Sequence, residues 1–261
     1  MSTSRDVTRP LTIVVAGSSV SVSVSPPRRD RHDRTYGELL TETLDARGVR
    51  ASVVHTGKWF DMVNELRRRY EPAIRNHFPD VLVLNYGFVE SQPNFLPTWA
   101  SRHFTTWDVS SAPVAAWYRR HIAPRVWRVL RAYQRRAASM TSRGSYRLSP
   151  KRFAAELRRV IELSRLETGC LVLVLDIDPP DGRVLHWMPG MRQRWERYQA
   201  VLRHLVAEIG DPDVRLVPAS RVVDELELSA ALPDGIHRSP AAHRHTAELL
   251  TDEIVTWLHR G

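Results

Sequence analysis

Leu11-Thr12-Ile13-Val14-Val15-Ala16, followed at once by Gly17-Ser18-Ser19-Val20, is the stretch on which the fold reading turns. A short, largely β-branched apolar run closed by glycine reads as a strand buried on both faces, because a strand with one wet face would alternate apolar and polar residues. The pattern recurs at Ala51–His55, Val81–Leu84, Leu171–Leu175 and Val214–Pro218. Helical patterns stand between these runs. Thr35–Arg47 places Leu39, Leu40 and Leu44 on one face, and Phe60–Phe78 is helical with Pro72 expected to kink or divide it. Trp117–Ala137 follows, then Pro150–Thr168 with Ser149 as N-cap and proline at the first helical position. Gly190–Ile209 ends at Gly210, and Ser239–Leu258 again begins with Ser-Pro. Short strands separated by helices predict an α/β fold, a flavodoxin-like three-layer α/β/α sandwich with a five-stranded parallel sheet. The reading gives a single domain over residues 1–261, carrying a helical, basic insert at Phe88–Ser149 that is too long for an ordinary connection.

Composition narrows the class. The 261 residues are 43% hydrophobic and 26% charged, which excludes global disorder. No apolar run approaches the roughly 20 residues that span a bilayer, and no N-terminal stretch reads as a signal peptide. No membrane partner is expected. The single cysteine, Cys170, excludes an internal disulfide and a zinc ribbon and fits a reducing compartment, so a cytoplasmic location is expected. The net charge of +9 is localised: between Asp108 and Glu156 there is no acid but eleven basic residues, so the rest of the chain is slightly acidic.

In open parallel sheets, ligands sit beyond the carboxyl ends of the strands, so the residues that follow each strand carry the functional reading. Ser19 lies two residues past Gly17, where a tight turn can present its hydroxyl. Asp234 and His237 stand three apart after the last strand, a spacing that lets both side chains emerge from one turn. A nucleophilic serine needs a histidine to take its proton and a carboxylate to hold the imidazole tautomer. Each element alone has a plain structural reading, a serine-rich turn or a helix-initiating Asx turn. Their coincidence at one sheet edge points to catalysis.

At this level the chain resembles the SGNH (GDSL-like) hydrolase family in four segments that keep the family's order. Ile13–Val20 resembles the Gly-Asp-Ser-Leu block with Ser18 in the aspartate position, and about sixteen residues on Tyr36-Gly37-Glu38-Leu39-Leu40 resembles the helix that follows it. Val53–Gly57 resembles the second block, Pro79–Gly87 the third, and Asp234-Gly235-Ile236-His237-Arg238-Ser239-Pro240 the last and most specific. The resemblance implies Ser19 as nucleophile, His237 as general base and acid, Asp234 as its orienting carboxylate, and the backbone N–H groups of Ser19 and Gly57 as oxyanion donors. The family's third block runs Gly-x-Asn-Asp, and its asparagine is a third donor. Here Val89 stands in that position, so Asn94, with Asn85 or Gln92 as alternatives, is the candidate replacement. Loss of one such donor costs about 10²–10³ in rate.

Phe88, Trp99, Trp107 and Pro180 are candidate substrate-binding residues beside the site. The arginine-rich segment reads either as an amphipathic helix with Ile122, Val126, Val129 or Leu130 and Tyr133 inward, or as a cap that attracts an anionic substrate or an acidic carrier protein. Nucleic acid is not the expected partner. His243 and His245 read as surface histidines, and Asp176 and Asp178 as part of a rigid loop rather than a cation site. No cofactor and no metal are expected. The leading function is hydrolysis of a small-molecule carboxylic ester through an acyl-Ser19 intermediate. A thioesterase or acyltransferase acting on a carrier-bound acyl group and a catalytically silent binding protein of the same fold are the alternatives.

Overall fold

In the computed structural model, β1 (Leu11–Gly17), β2 (Ala51–His55), β3 (Val81–Asn85), β4 (Leu171–Leu175) and β5 (Val214–Val217) form one parallel sheet in the order β2-β1-β3-β4-β5. The structure describes residues 9–25, 33–93 and 146–260, with residues 117–118, 121–122, 125–126, 128–129 and 132–133. The strand order is the flavodoxin-like one, and it runs outward in both directions from β1 and β3. Their register pairs Gly17 with Asn85, which sets the two strand exits side by side.

Alternation along the strands divides the core into two faces. Ile13, Val15, Val83 and Leu173 point toward α2 (Tyr36–Asp45) and α11 (Pro240–Leu258). Val14, Leu82, Leu84 and Val172 point the other way, toward α3 (Val63–Arg68), α4 (Tyr70–Ala73), α6 (Pro150–Thr168) and α8 (Met191–Ile209). Each fully buried Leu or Phe on these faces contributes roughly 1.5–3 kcal/mol. The expected three layers are therefore present. Among the described residues no helix is long and apolar enough to cross a membrane.

The expected helix Phe60–Phe78 is divided, as Pro72 required. α3 ends before Arg69 (φ −111°, ψ 24°), α4 holds the proline, and a 3₁₀ turn at Arg75–His77 completes the segment. A proline ring clashes with the carbonyl four residues earlier, here Arg68, the last residue of α3. Several short helices went unread in the sequence: α1 (Ser19–Val22), α5 (Phe88–Ser91), α7 (Gly182–Trp187), α9 (Arg221–Leu226) and α10 (Leu228–Ala231). Segments of four to six residues carry too little periodicity to detect. The core of the expected insert, residues 94–145, lies almost wholly outside the described residues. An antiparallel bridge between Pro93 and Tyr146 joins the chain on its two sides. Within it, Val126, Val129 and Tyr133 are exposed, so this stripe does not seat on the described core as the amphipathic reading expected.

Glu90, fully buried on α5, accepts the Val63 N–H with Oε1 and the Gly87 N–H with Oε2, both at 2.8 Å, tying the start of α3 to the exit of β3. Burial raises its carboxyl to about 7, against the backbone N–H donors that favour the charge. The folded state thus holds this proton more tightly than the unfolded chain. The resulting stability is full below the ordinary glutamate range and is lost as pH rises through about 7, on the order of 3 kcal/mol in all. The urea midpoint should therefore fall between pH 5 and pH 8, and Glu90→Gln, uncharged throughout, should flatten that slope. An equal slope in both proteins would assign it elsewhere.

Candidate active site

The nucleophile turn is built by close backbone approach. A Cβ on Gly17 would lie 2.0 Å from Ser21 Oγ and 2.9 Å from the Asn85 carbonyl, so only glycine lets the chain turn here. Ser18 is extended and stands at the N-cap position of α1 without a side-chain capping bond, and Ser19 is the first helical residue, 5% exposed. The loop after β2 presses onto this turn: Thr56 N–H donates to Val15 O and Lys58 N–H to Gly17 O, each at 3.0 Å. A Cβ on Gly57 would stand 2.8 Å from Gly17 O, which makes glycine obligatory there too. The Gly57 N–H, between those two donors, goes to no described carbonyl.

The second half of the site is the turn before α11. Asp234 Oδ1 accepts the N–H groups of Ile236 (2.9 Å) and His237 (2.7 Å), and Oδ2 lies 2.7 Å from His237 Nδ1. Burial works against this carboxylate's charge, but the His237 ring and the two backbone donors outweigh it and hold the carboxyl down to about 2. An ionised carboxylate only accepts, so Nδ1 bears a proton, and in the neutral imidazole Nε2 is then the acceptor. Nε2 is buried and makes no hydrogen bond among the described residues. Gly235, at φ 83°, passes over Asp181, where a Cβ would fall 2.4 Å from Oδ1. Arg183 donates to the carbonyls of Leu232 and Pro233 and so holds the approach to the turn. Ser239 then caps α11, accepting the Ala242 N–H.

Beside the histidine turn lies a cavity of about 400 Å³ lined by Val22–Ser25, Trp59, Asp234 and His237, with Ser19 not among its lining residues. Its wall thus continues directly from α1, whose first residue is Ser19. Ser19 Oγ and His237 Nε2 share no hydrogen bond in this structure. Trp59, 58% exposed, stands with its ring centroid 5.6 Å from that of His237. The sequence reading missed this residue. Its only signal was its place two positions after Gly57, and Phe60, at φ 55°, belongs to the same tight turn.

Other expected site residues are placed differently. The Asn85 amide donates to Tyr36 Oη at 3.3 Å in the buried interior, so it supports α2 rather than the oxyanion. Gln92 is buried at the end of α5, and its side chain has no hydrogen bond to a described residue. Val89 is buried and apolar. Phe88 belongs to the hydrophobic core with Phe153 and Ile177, and Pro180 is buried, so neither lines the cavity. Asn94, Trp99 and Trp107 lie outside the described residues. His243 is not a surface histidine: it is fully buried, accepting the Tyr36 N–H at Nδ1 (3.1 Å), with Nε2 3.1 Å from Ser23 O. His245 lies 3.8 Å from Glu225 near the surface. Asp176 accepts from Ser220 N–H and Oγ, and Asp178 from Arg238, which leaves neither carboxylate unpartnered.

The fold has counterparts among solved structures. A lipase/acylhydrolase from Enterococcus faecalis superposes with a TM-score of 0.63 at 13% identity, covering 95% of this chain and 96% of that one. An acetylxylan esterase from Geobacillus stearothermophilus gives 0.59 at 14% identity, covering 94% of both chains. The chain shares their fold. An alpha/beta hydrolase enzyme from the metagenome of Lake Arreo gives 0.58 at 16%, covering 95% of both chains. No protein-family model matches the sequence, and no curated protein matches it. At these identities the likeness is one of fold alone.

Proposed function

We propose that the protein is a serine esterase of the SGNH type, acting on a small carboxylic ester through an acyl-Ser19 intermediate. The observation that carries this reading is the 2.7 Å contact of Asp234 Oδ2 with His237 Nδ1, with Nε2 buried and unbonded beside a cavity whose wall includes Val22, the last residue of the helix that begins at Ser19. As substrate seats, Ser19 Oγ attacks the acyl carbon while Nε2 takes the hydroxyl proton, a contact that tightens only in the substrate complex. The tetrahedral oxyanion forms against the N–H groups of Ser19 and Gly57. His237 then returns the proton to the leaving alcohol, and water, activated by the same imidazole, releases the acid.

Val89 supplies no third donor. Asn94 remains the first candidate for that place, and Gln92 is the candidate among the described residues. With two backbone donors alone, turnover is expected to be modest, which keeps acyl transfer as the second reading. The described cavity wall contains Asp234 and neither lysine nor arginine, which favours a neutral ester over an anionic one. The test is labelling with a fluorophosphonate alongside a series of p-nitrophenyl esters. The reading requires a single adduct, mapped to Ser19, with loss of turnover in proportion. An adduct elsewhere, or turnover that persists after full labelling, overturns it.

A further inference from the structure

The dyad of Asp234 and His237 sits on a turn whose aspartate side chain is 45% exposed, so its orientation needs an anchor inside the protein. The residue after His237 supplies one. Arg238 is fully buried, and its guanidinium grips Asp178, beyond the end of β4, through two parallel hydrogen bonds: Nε to Oδ2 at 2.9 Å and Nη2 to Oδ1 at 2.8 Å. Nη1 donates to Thr246 Oγ1 on α11 at 2.9 Å, and the Arg238 carbonyl accepts the N–H of Ser25 on the cavity wall at 2.9 Å. The guanidinium carbon lies 5.8 Å from the centre of the Tyr36 ring. The Tyr36 hydroxyl in turn donates to Ser21 Oγ at 2.9 Å, within the short helix that begins at Ser19.

From this geometry we infer that Arg238 is a positioning residue, whose clamp on Asp178 sets the His237 imidazole relative to the nucleophile turn. A buried ion pair is a poor way to gain stability, since desolvation offsets most of its attraction and apolar side chains of similar volume often do as well. What a two-pronged guanidinium–carboxylate pair provides is direction. Here the guanidinium fixes the residue after His237 to the β4 exit, to α11 and, across Tyr36, to α1, while its backbone carbonyl ties it to the cavity wall. The catalytic part of this inference rests on the esterase reading above, whereas the orientation of the imidazole does not.

Two variants test it. Asp178→Leu combined with Arg238→Met removes both charges together, so no lone buried charge is left to unfold the protein, and Arg238→Lys keeps the charge while losing the fork. In each folded variant, kcat for p-nitrophenyl acetate should fall about 10- to 100-fold with KM changed less than about twofold, because small misplacements of a catalytic group act on turnover. The downfield proton resonance of the His237 Nδ1–H, bonded to Asp234, should also shift or broaden. An unmoved resonance or a parental kcat in either folded variant overturns the inference. If the parent hydrolyses no ester, the esterase reading fails, and the resonance still decides whether Arg238 orients the imidazole.

Discussion

Ser19→Ala is expected to lower kcat for a p-nitrophenyl ester by about 10⁵–10⁶, the scale on which triad nucleophiles act. The substitution removes a hydroxyl that has no hydrogen bond among the described residues, at a position only 5% exposed. It therefore leaves no polar group orphaned and little space unfilled, and the thermal midpoint should stay close to the parent's. KM should change little, since the cavity wall of Val22–Ser25 and Trp59 is untouched. Some rate above the uncatalysed reaction should persist from the backbone donors of Ser19 and Gly57, which survive the change. Equal turnover in the two proteins would end the proposal of an acyl-serine mechanism.

Asp234→Asn is expected to cost about 10⁴ in kcat while preserving the turn. Oδ1 of the asparagine can still accept the N–H groups of Ile236 and His237, so the backbone holds its shape. The amide nitrogen then replaces Oδ2 opposite Nδ1, and it donates where the carboxylate accepted. The imidazole is driven to the tautomer protonated at Nε2, which cannot take the Ser19 proton. The carboxylate it replaces, held to about 2, is charged throughout the working range, so the parent suffers no such inversion. Its charge stabilises the fold above the ordinary aspartate range, and that stability is lost as pH falls through about 2. A loss of kcat below about tenfold would show that Asp234 only shapes the turn.

The sheet and the helix boundaries were legible because they rest on near-neighbour physics. All-apolar runs such as Leu171–Leu175 can be satisfied only by burial on both faces, and the strand ends agree with the reading to within about one residue. Ser149 and Ser239 cap their helices with the hydroxyls that the Ser-Pro pattern implied, and Pro72 divides its helix for steric reasons internal to the chain. The bond between Asp234 and His237 is likewise local, a matter of one turn.

Tertiary structure decided the rest. In the sequence Arg238 is one arginine in an arginine-rich chain, and only the approach of a loop 60 residues distant makes it the partner of Asp178. His243 reads as exposed on a helix until α2 covers it and donates the Tyr36 N–H. Asn85 ends β3 beside Gly17, but its amide donates to the buried Tyr36 hydroxyl. Trp59 acquires its position beside His237 from the register of β1 with β2 and from the close seat of Gly57 on Gly17. Side-chain periodicity reports which face of an element is buried. Which polar groups share that burial depends on contacts between segments far apart in the chain, set when the layers close.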